Sequence, residues 1–270
     1  MISGDSVLTR QQRRQEKRAR DKRRAEWARS APKPSSAACT EQADVLLGVL
    51  EQTGDRDRAT NAAEIAHAGF ERSLAAHFDP GRAKVACRQG CAFCCHTYVS
   101  VSAPEALRAA RAVNALDQPE RDDAIARIHA ADNVTRGLDP DARKGQWIAC
   151  PILIDNRCAI YTARPLACRA EMSINAVDCE TVVGGSAGQV MAPAFPVQLK
   201  VMYSSALALA MKHAGLRTGI YEFNAALRIA VETPDAEARW LKGEDVFAPA
   251  AIHPSVRARI DQALNPTQAK

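Results

Sequence analysis

Apolar positions along most of this chain recur at the three-to-four-residue interval of an α-helix rather than the two-residue interval of a strand. From Thr40, a stripe of Val45, Leu46, Val49 and Leu50 predicts one helix. Over 57–78, Ala62, Ile65, Ala66, Gly69, Phe70 and Leu74 predict a second, stopped by Asp79, Pro80 and Gly81. Ser102 precedes Ala-Pro-Glu, which supplies a cap, an early proline and a first-turn acid, so a helix is predicted from there to about Leu116. Pro119 opens the next, with Ile125 and Ile128 facing inward. Helices resume near Phe195 with Val197, Val201, Leu207, Leu209 and Met211, stop at Gly215, and two or three more follow to about residue 264.

The helical pattern breaks in two places. Over 146–161, Ile-Ala-Cys-Pro-Ile-Leu-Ile, a polar Asp-Asn-Arg and then Cys-Ala-Ile-Tyr predict a small hairpin around a polar turn. Residues 9–30 hold hardly an apolar side chain before Trp27, and a helix polar on every side has no face to bury. The stretch 31–36, Ala-Pro-Lys-Pro-Ser-Ser, then reads as a linker. There is no internal repeat and no strand–helix alternation of the length that a parallel barrel or Rossmann sheet needs. The predicted fold class is mainly α: a helical bundle-like domain with a small β-hairpin inside a cysteine-cluster region. The expected organisation is a basic, disordered or loosely helical tail and linker over 1–36, then a single mainly helical domain over 40–265 with the cysteine cluster at 85–180.

At 270 residues, with 47% hydrophobic and 25% charged, the chain has globular composition and enough length for a substantial core. Its charge is uneven. The first 40 residues hold eleven Lys or Arg against four Asp or Glu, whereas the other 230 hold 25 against 27. The pI of about 8.8 therefore belongs to the tail and not to a basic body. Such a tail suits contact with nucleic acid or an acidic partner, and equally a solvated extension. No apolar run approaches the roughly 18 residues of a membrane helix; the best, Val201 to Met211, is interrupted by Ser204 and Ser205. The N-terminus carries charges where a secretory signal has its hydrophobic stretch. A cytoplasmic location with no membrane partner is expected.

Nine cysteines change the picture. Cys39 stands apart, and the other eight lie between residues 87 and 179. One group is Cys87, Cys91, Cys94 and Cys95, with His96 following directly as a weaker candidate donor. A second is Cys150 and Cys158 in the predicted hairpin, and a third is Cys168 with Cys179 beyond it. Without a secretory signal thiols stay reduced, so the pattern points to metal ligation or chemistry rather than disulfides. A metal needs several thiolates converging on it, and short loops between cysteines allow that. Adjacent Cys94 and Cys95 point apart, which suits two metals, or one ligand plus one free thiol. Arg88, Arg157, Arg164 and Arg169 flank the thiols, where they suit charge compensation or hydrogen bonding to the ligands. Tyr161 reads as a packed side chain. The glycine-rich 182–188 reads as a flexible loop, because no strong strand precedes it.

The run Cys-Arg-Gln-Gly-Cys-Ala-Phe-Cys-Cys, then Cys-Pro-x-Leu and Cys-Ala-Ile-Tyr-x-x-Arg-Pro-x-x-Cys-Arg, resembles the CxxCxxCC or YkgJ-type cysteine-cluster family, described as zinc- or iron-chelating. The resemblance covers roughly residues 85–180. It implies Cys87, Cys91, Cys94, Cys95, Cys150, Cys158 and Cys168 as ligands. Cys179 lies at its edge, and three residues stand between Cys87 and Cys91 where the family name has two. Similar domains occur in flagellin lysine methylases. Cys87, Cys91 and Cys94, with Phe93 before the last, also fit the spacing of radical S-adenosylmethionine enzymes, although that class needs a β/α barrel. The expected function is a metal-chelating cysteine-cluster protein holding an iron–sulfur cluster or zinc. The alternatives are an S-adenosylmethionine-dependent modification enzyme and a metal-stapled module that binds a macromolecule. Whether the site turns over a substrate is left open by the residues.

Overall fold

Ser35, read from the sequence as linker, instead caps the first described helix: its hydroxyl accepts the Ala38 N–H at 3.1 Å, one of the donors that a helix start leaves unpaired. The computed structural model describes residues 35–264 and, within the tail, residues 11, 14, 15 and 18, which are helical and exposed. The rest of the tail expected over 1–36 lies outside the described residues. The described residues form eleven α-helices, three short 3-10 turns and two two-stranded antiparallel sheets. The fold class is mainly α, as the apolar periodicity predicts.

Three helices make one half of the core. Helix α1 (Ser36–Leu50) lies along α8 (Ala194–His213), and α2 (Arg58–His77) packs against both. The other half is α3 (Ala103–Asn114), α4 (Gln118–Thr135) and α9 (Phe223–Glu232), joined to the first by contact of α3 with α2. One continuous apolar cluster runs from Leu46 and Phe70 through Ile128, Leu207 and Leu227 to Trp240 and Phe247. On α1 the buried stripe is Ala43, Leu46 and Leu50, spaced three and four apart, while Val45 is half exposed. On α8, Phe195, Leu199, Tyr203, Leu207 and Met211 face the core and Val197 and Val201 face outward.

Helix α8 also corrects the expectation that no apolar run approaches membrane length. By length and composition it is able to cross a membrane, because alanine and leucine outweigh Lys200, Ser204 and Ser205 in the mean. Its inward face is part of the core just described.

The remaining elements position the cysteines. Strand β1 (Ser100–Ser102) follows the first cysteine group and pairs antiparallel with a strand later in the chain, β4 (Ile220–Glu222), with Val101 opposite Tyr221. Between them in sequence lie α5 (Pro140–Arg143), strands β2 (Leu153–Ile154) and β3 (Arg157–Cys158), α6 (Leu166–Ala170) and α7 (Ala176–Val183). Helices α10 (Ala236–Leu241) and α11 (Pro254–Leu264) close the described chain.

Candidate metal centre

The hairpin predicted over 146–161 is present and shorter than that span. Leu153 pairs with Cys158 and Ile154 with Arg157. Asp155 and Asn156 make the two-residue turn at φ 48° and 58°. Two consecutive positive φ values define the mirror-image turn whose twist matches a tight hairpin, and Asp and Asn tolerate that region best after glycine. Just before the hairpin, the Leu153 N–H reaches the Cys150 carbonyl at 3.0 Å. The Cys150 sulfur accepts the Ile152 N–H, and the Cys158 sulfur accepts the Ile160 N–H, each from two residues further on. Both thiols thus sit over a peptide donor that favours a thiolate.

The first cysteine group forms a 3-10 turn over Phe93–His96. It docks on the hairpin through the backbone, the Cys150 N–H donating to the Cys95 carbonyl at 2.7 Å. Cys94 and Cys95 share a thiol–thiol hydrogen bond. Cys87 is exposed, and its sulfur accepts the Ser173 N–H at 3.3 Å. Cys179 sits on α7 with its thiol donating to the Asn175 carbonyl at 3.6 Å. None of the nine cysteines is in a disulfide.

Their electrostatics describe two sets that meet at Cys94. Cys94, Cys150, Cys158 and Cys168 form a complete group: the Cys150 thiol feels Cys158 and Cys94, Cys158 feels Cys94, and Cys168 feels all three. Burial followed by these neighbours pushes Cys168 well above the usual thiol range. Burial pushes Cys150 up to about 12. Cys94 is raised by its hydrogen bond with Cys95 and then by burial. Cys87 and Cys179 are raised chiefly by burial, and both feel Cys91 and Cys94, so a second set stands on the exposed side. These thiols are neighbours but do not form a ready coordination sphere. Among the described residues, no three His, Cys, Asp or Glu side chains stand in an arrangement that could hold a metal ion as they are. Cys39 is separate, half-buried on α1 with its thiol 3.7 Å from the Met202 carbonyl.

Of the four flanking arginines, Arg164 and Arg169 are the pair whose charge reaches the thiols, easing the rise at Cys158. Both lean on Glu71, Arg169 at 2.6 Å and Arg164 at 3.7 Å. Arg88 and Arg157 are exposed. Tyr161, expected to pack, is instead 59% exposed on a short 3-10 turn at the surface, and its ring carries the Arg164 guanidinium at 4.0 Å. Residues 184–185, within the expected loop, end α7 and pack against Gly145.

Sequence reasoning missed Glu105. This buried carboxylate accepts Ser102 N–H and O–H at 2.9 and 2.8 Å, capping α3, and the Leu166 N–H at 2.9 Å, capping the helix that carries Cys168. Its other neighbour is His67, whose Nε2 lies 3.5 Å from Glu105 Oε1 while Arg108 donates to Nδ1 at 2.7 Å. The signal was half visible, since Ser102 with Glu105 spells a capping box, but no local pattern shows a reach of 61 residues. Glu171 was missed as well; its negative charge helps raise Cys87 and Cys94.

Together these elements define a mainly helical protein built around a thiol-rich centre. Residues 86–183 match the family model described as "CxxCxxCC: Putative zinc- or iron-chelating domain". The resemblance carried by the cysteine motif therefore holds over that segment. No curated protein and no solved structure matches the chain.

Proposed function

We propose that the chain binds metal through Cys94, Cys150, Cys158 and Cys168, and that Cys87, Cys91, Cys95 and Cys179 supply a second, more exposed thiol set. The observation that carries this reading is the mutual electrostatic reach of the first four thiols, which come from three separate stretches of chain. Four half-buried thiols cannot all ionise beside each other without a cation, and the two nearby arginines are already engaged by Glu71. In donor chemistry the set fits: four cysteines match a tetrahedral zinc site or a four-iron cluster, each leaving a net charge of about −2. Bound metal would supply that missing positive charge and hold hairpin, turn and α6 together. Drawing the thiols into a coordination sphere is then part of binding, as in small metal domains where ligation and ordering are one event. The S-adenosylmethionine alternative finds no support in the comparisons.

The test is metal analysis and a visible spectrum after anaerobic purification. Broad absorption near 400 nm with bound iron means a cluster; a colourless protein with stoichiometric zinc means a zinc site. Cys158→Ser is expected to lose most of the metal and Cys39→Ser to keep it. A protein that takes up neither metal, or a Cys158→Ser variant with full occupancy, would sink the reading.

A further inference from the structure

Next to the first cysteine group, with His96 in its lining, lies a cavity of about 260 Å³. Its walls come from His96 and the residues after it, from α5, from the end of α7 and from α11. Three cations line it, Arg143, Lys144 and Arg259, and no aspartate or glutamate does. The acids that partner these cations are not among the lining residues. Asp141 is shared, accepting from Lys144 Nζ at 2.6 Å and from Arg259 at 2.7 Å. Glu222 Oε1 stands 3.1 Å from Arg143. Three cations against two carboxylates leave one positive charge in excess.

Arg143 is the unusual member. It is 5% exposed, its guanidinium lies 4.6 Å over the Tyr98 ring, and its Nε has no hydrogen-bond partner among the described residues. A buried guanidinium hydrogen without an acceptor is costly, and an anion is the natural remedy. Val182, Val183 and Val256 add an aliphatic part to the lining. The size falls below the roughly 300–1,000 Å³ of pockets for drug-sized ligands, which excludes a nucleotide-sized guest.

We propose that this cavity binds a small branched aliphatic carboxylate, with its carboxylate toward the three cations and its alkyl group on the valines. One surplus charge matches a monoanion rather than a phosphate dianion, and the valine wall gives phosphate nothing to bury. The site does not rest on the metal reading, since no cysteine lines the cavity.

Isobutyrate is the probe, followed in the full chain by titration calorimetry and by Trp147 fluorescence. That indole contacts the His96 ring at 5.4 Å between centroids, so it reports on the cavity wall. Isobutyrate is expected to bind, with isobutyramide and inorganic phosphate each at least about tenfold weaker. Lys144→Ala with Arg259→Ala is expected to weaken isobutyrate by about tenfold or more. Both side chains are on exposed residues, and Arg259→Gln alone guards against a folding artefact by giving a smaller loss. Cys158→Ser, which is expected to lose metal, keeps isobutyrate binding. The proposal is overturned by isobutyramide or phosphate binding as tightly as isobutyrate. Wild-type affinity in the double variant overturns it too, as does the absence of any isobutyrate signal up to tens of millimolar.

Discussion

Glu105 shows how one side chain can govern a distant cysteine. Burial alone would raise its pKa, but the hydrogen bond and charge of His67, with the N–H groups of Ser102 and Leu166, outweigh burial and hold it below the usual carboxylate range. Burial holds His67 below its ordinary 6.5. Glu105→Gln keeps the shape and loses the charge. It also turns an amide donor toward groups that are themselves donors. Hydrogen bonds to buried charged groups are worth about 1.5–3 kcal/mol, so the variant is expected to melt about 5–10 °C lower. The pH sign follows. A depressed carboxylate contributes stability that is complete above its unfolded value of 4.5 and is lost as pH falls through its native value. The stability gap between wild type and Glu105→Gln, read from urea midpoints, should therefore be full at pH 6 and close below pH 4.5. His67 adds an earlier loss, since below 6.5 the unfolded chain takes up its proton first. A gap that widened on acidification would contradict this arrangement.

At the scale of elements, the Asp155–Asn156 turn couples backbone conformation to the thiols. Asn156 sits at φ 58°, which a β-branched residue adopts at a cost of about 1–2 kcal/mol. Asn156→Val is expected to splay the hairpin beneath Cys158 and weaken metal binding by about tenfold in competition with a chelator, whereas Asn156→Gly leaves affinity intact. This turn was legible in the sequence because Asp-Asn between apolar runs is a local signal. Helices α2, α3 and α4 were legible for the same reason, each with its own cap, proline or stripe. The sequence was less exact about which valines face inward. Val45 next to Leu46, and Val201 within α8, satisfy the spacing rule as well as their neighbours do, and only the packing of α1 along α8 decides between them. Ser35 looked like linker because Pro32 and Pro34 precede it, although a serine after proline is also a ready helix cap.

At the scale of the molecule, the cysteine residues were legible as a set, but their division was not. Spacing groups Cys94 with Cys87 and Cys91, and folding adds Cys150, Cys158 and Cys168 to its neighbours, so that Cys94 stands between the two sets. The long-range members of that neighbourhood lie 56 to 74 residues further along the chain, beyond the reach of any local spacing rule. If the centre holds metal, its removal should be felt beyond the thiols themselves, since the helix that carries Cys168 is capped by Glu105 of α3. Metal at a hundredfold excess over its Kd stabilises by about 2.7 kcal/mol, so chelation is expected to lower the melting temperature by about 5–10 °C. Hydrogen exchange should then rise in α6 and the hairpin before it rises in α8. Equal exchange with and without metal would argue that the thiols do not organise the region.

The link between the Cys95 carbonyl and the Cys150 N–H is made of peptide groups alone. No replacement short of proline at position 150, which removes the N–H, deletes it, so the two portions of the centre keep their mutual placement whichever donor atoms they present. Exchanging Cys150 or Cys158 for histidine or aspartate thus changes the hardness of the ligand set while leaving its frame standing. On the proposed metal reading, this part of the chain is a scaffold whose donors are open to retuning toward harder metals by substitution at single positions.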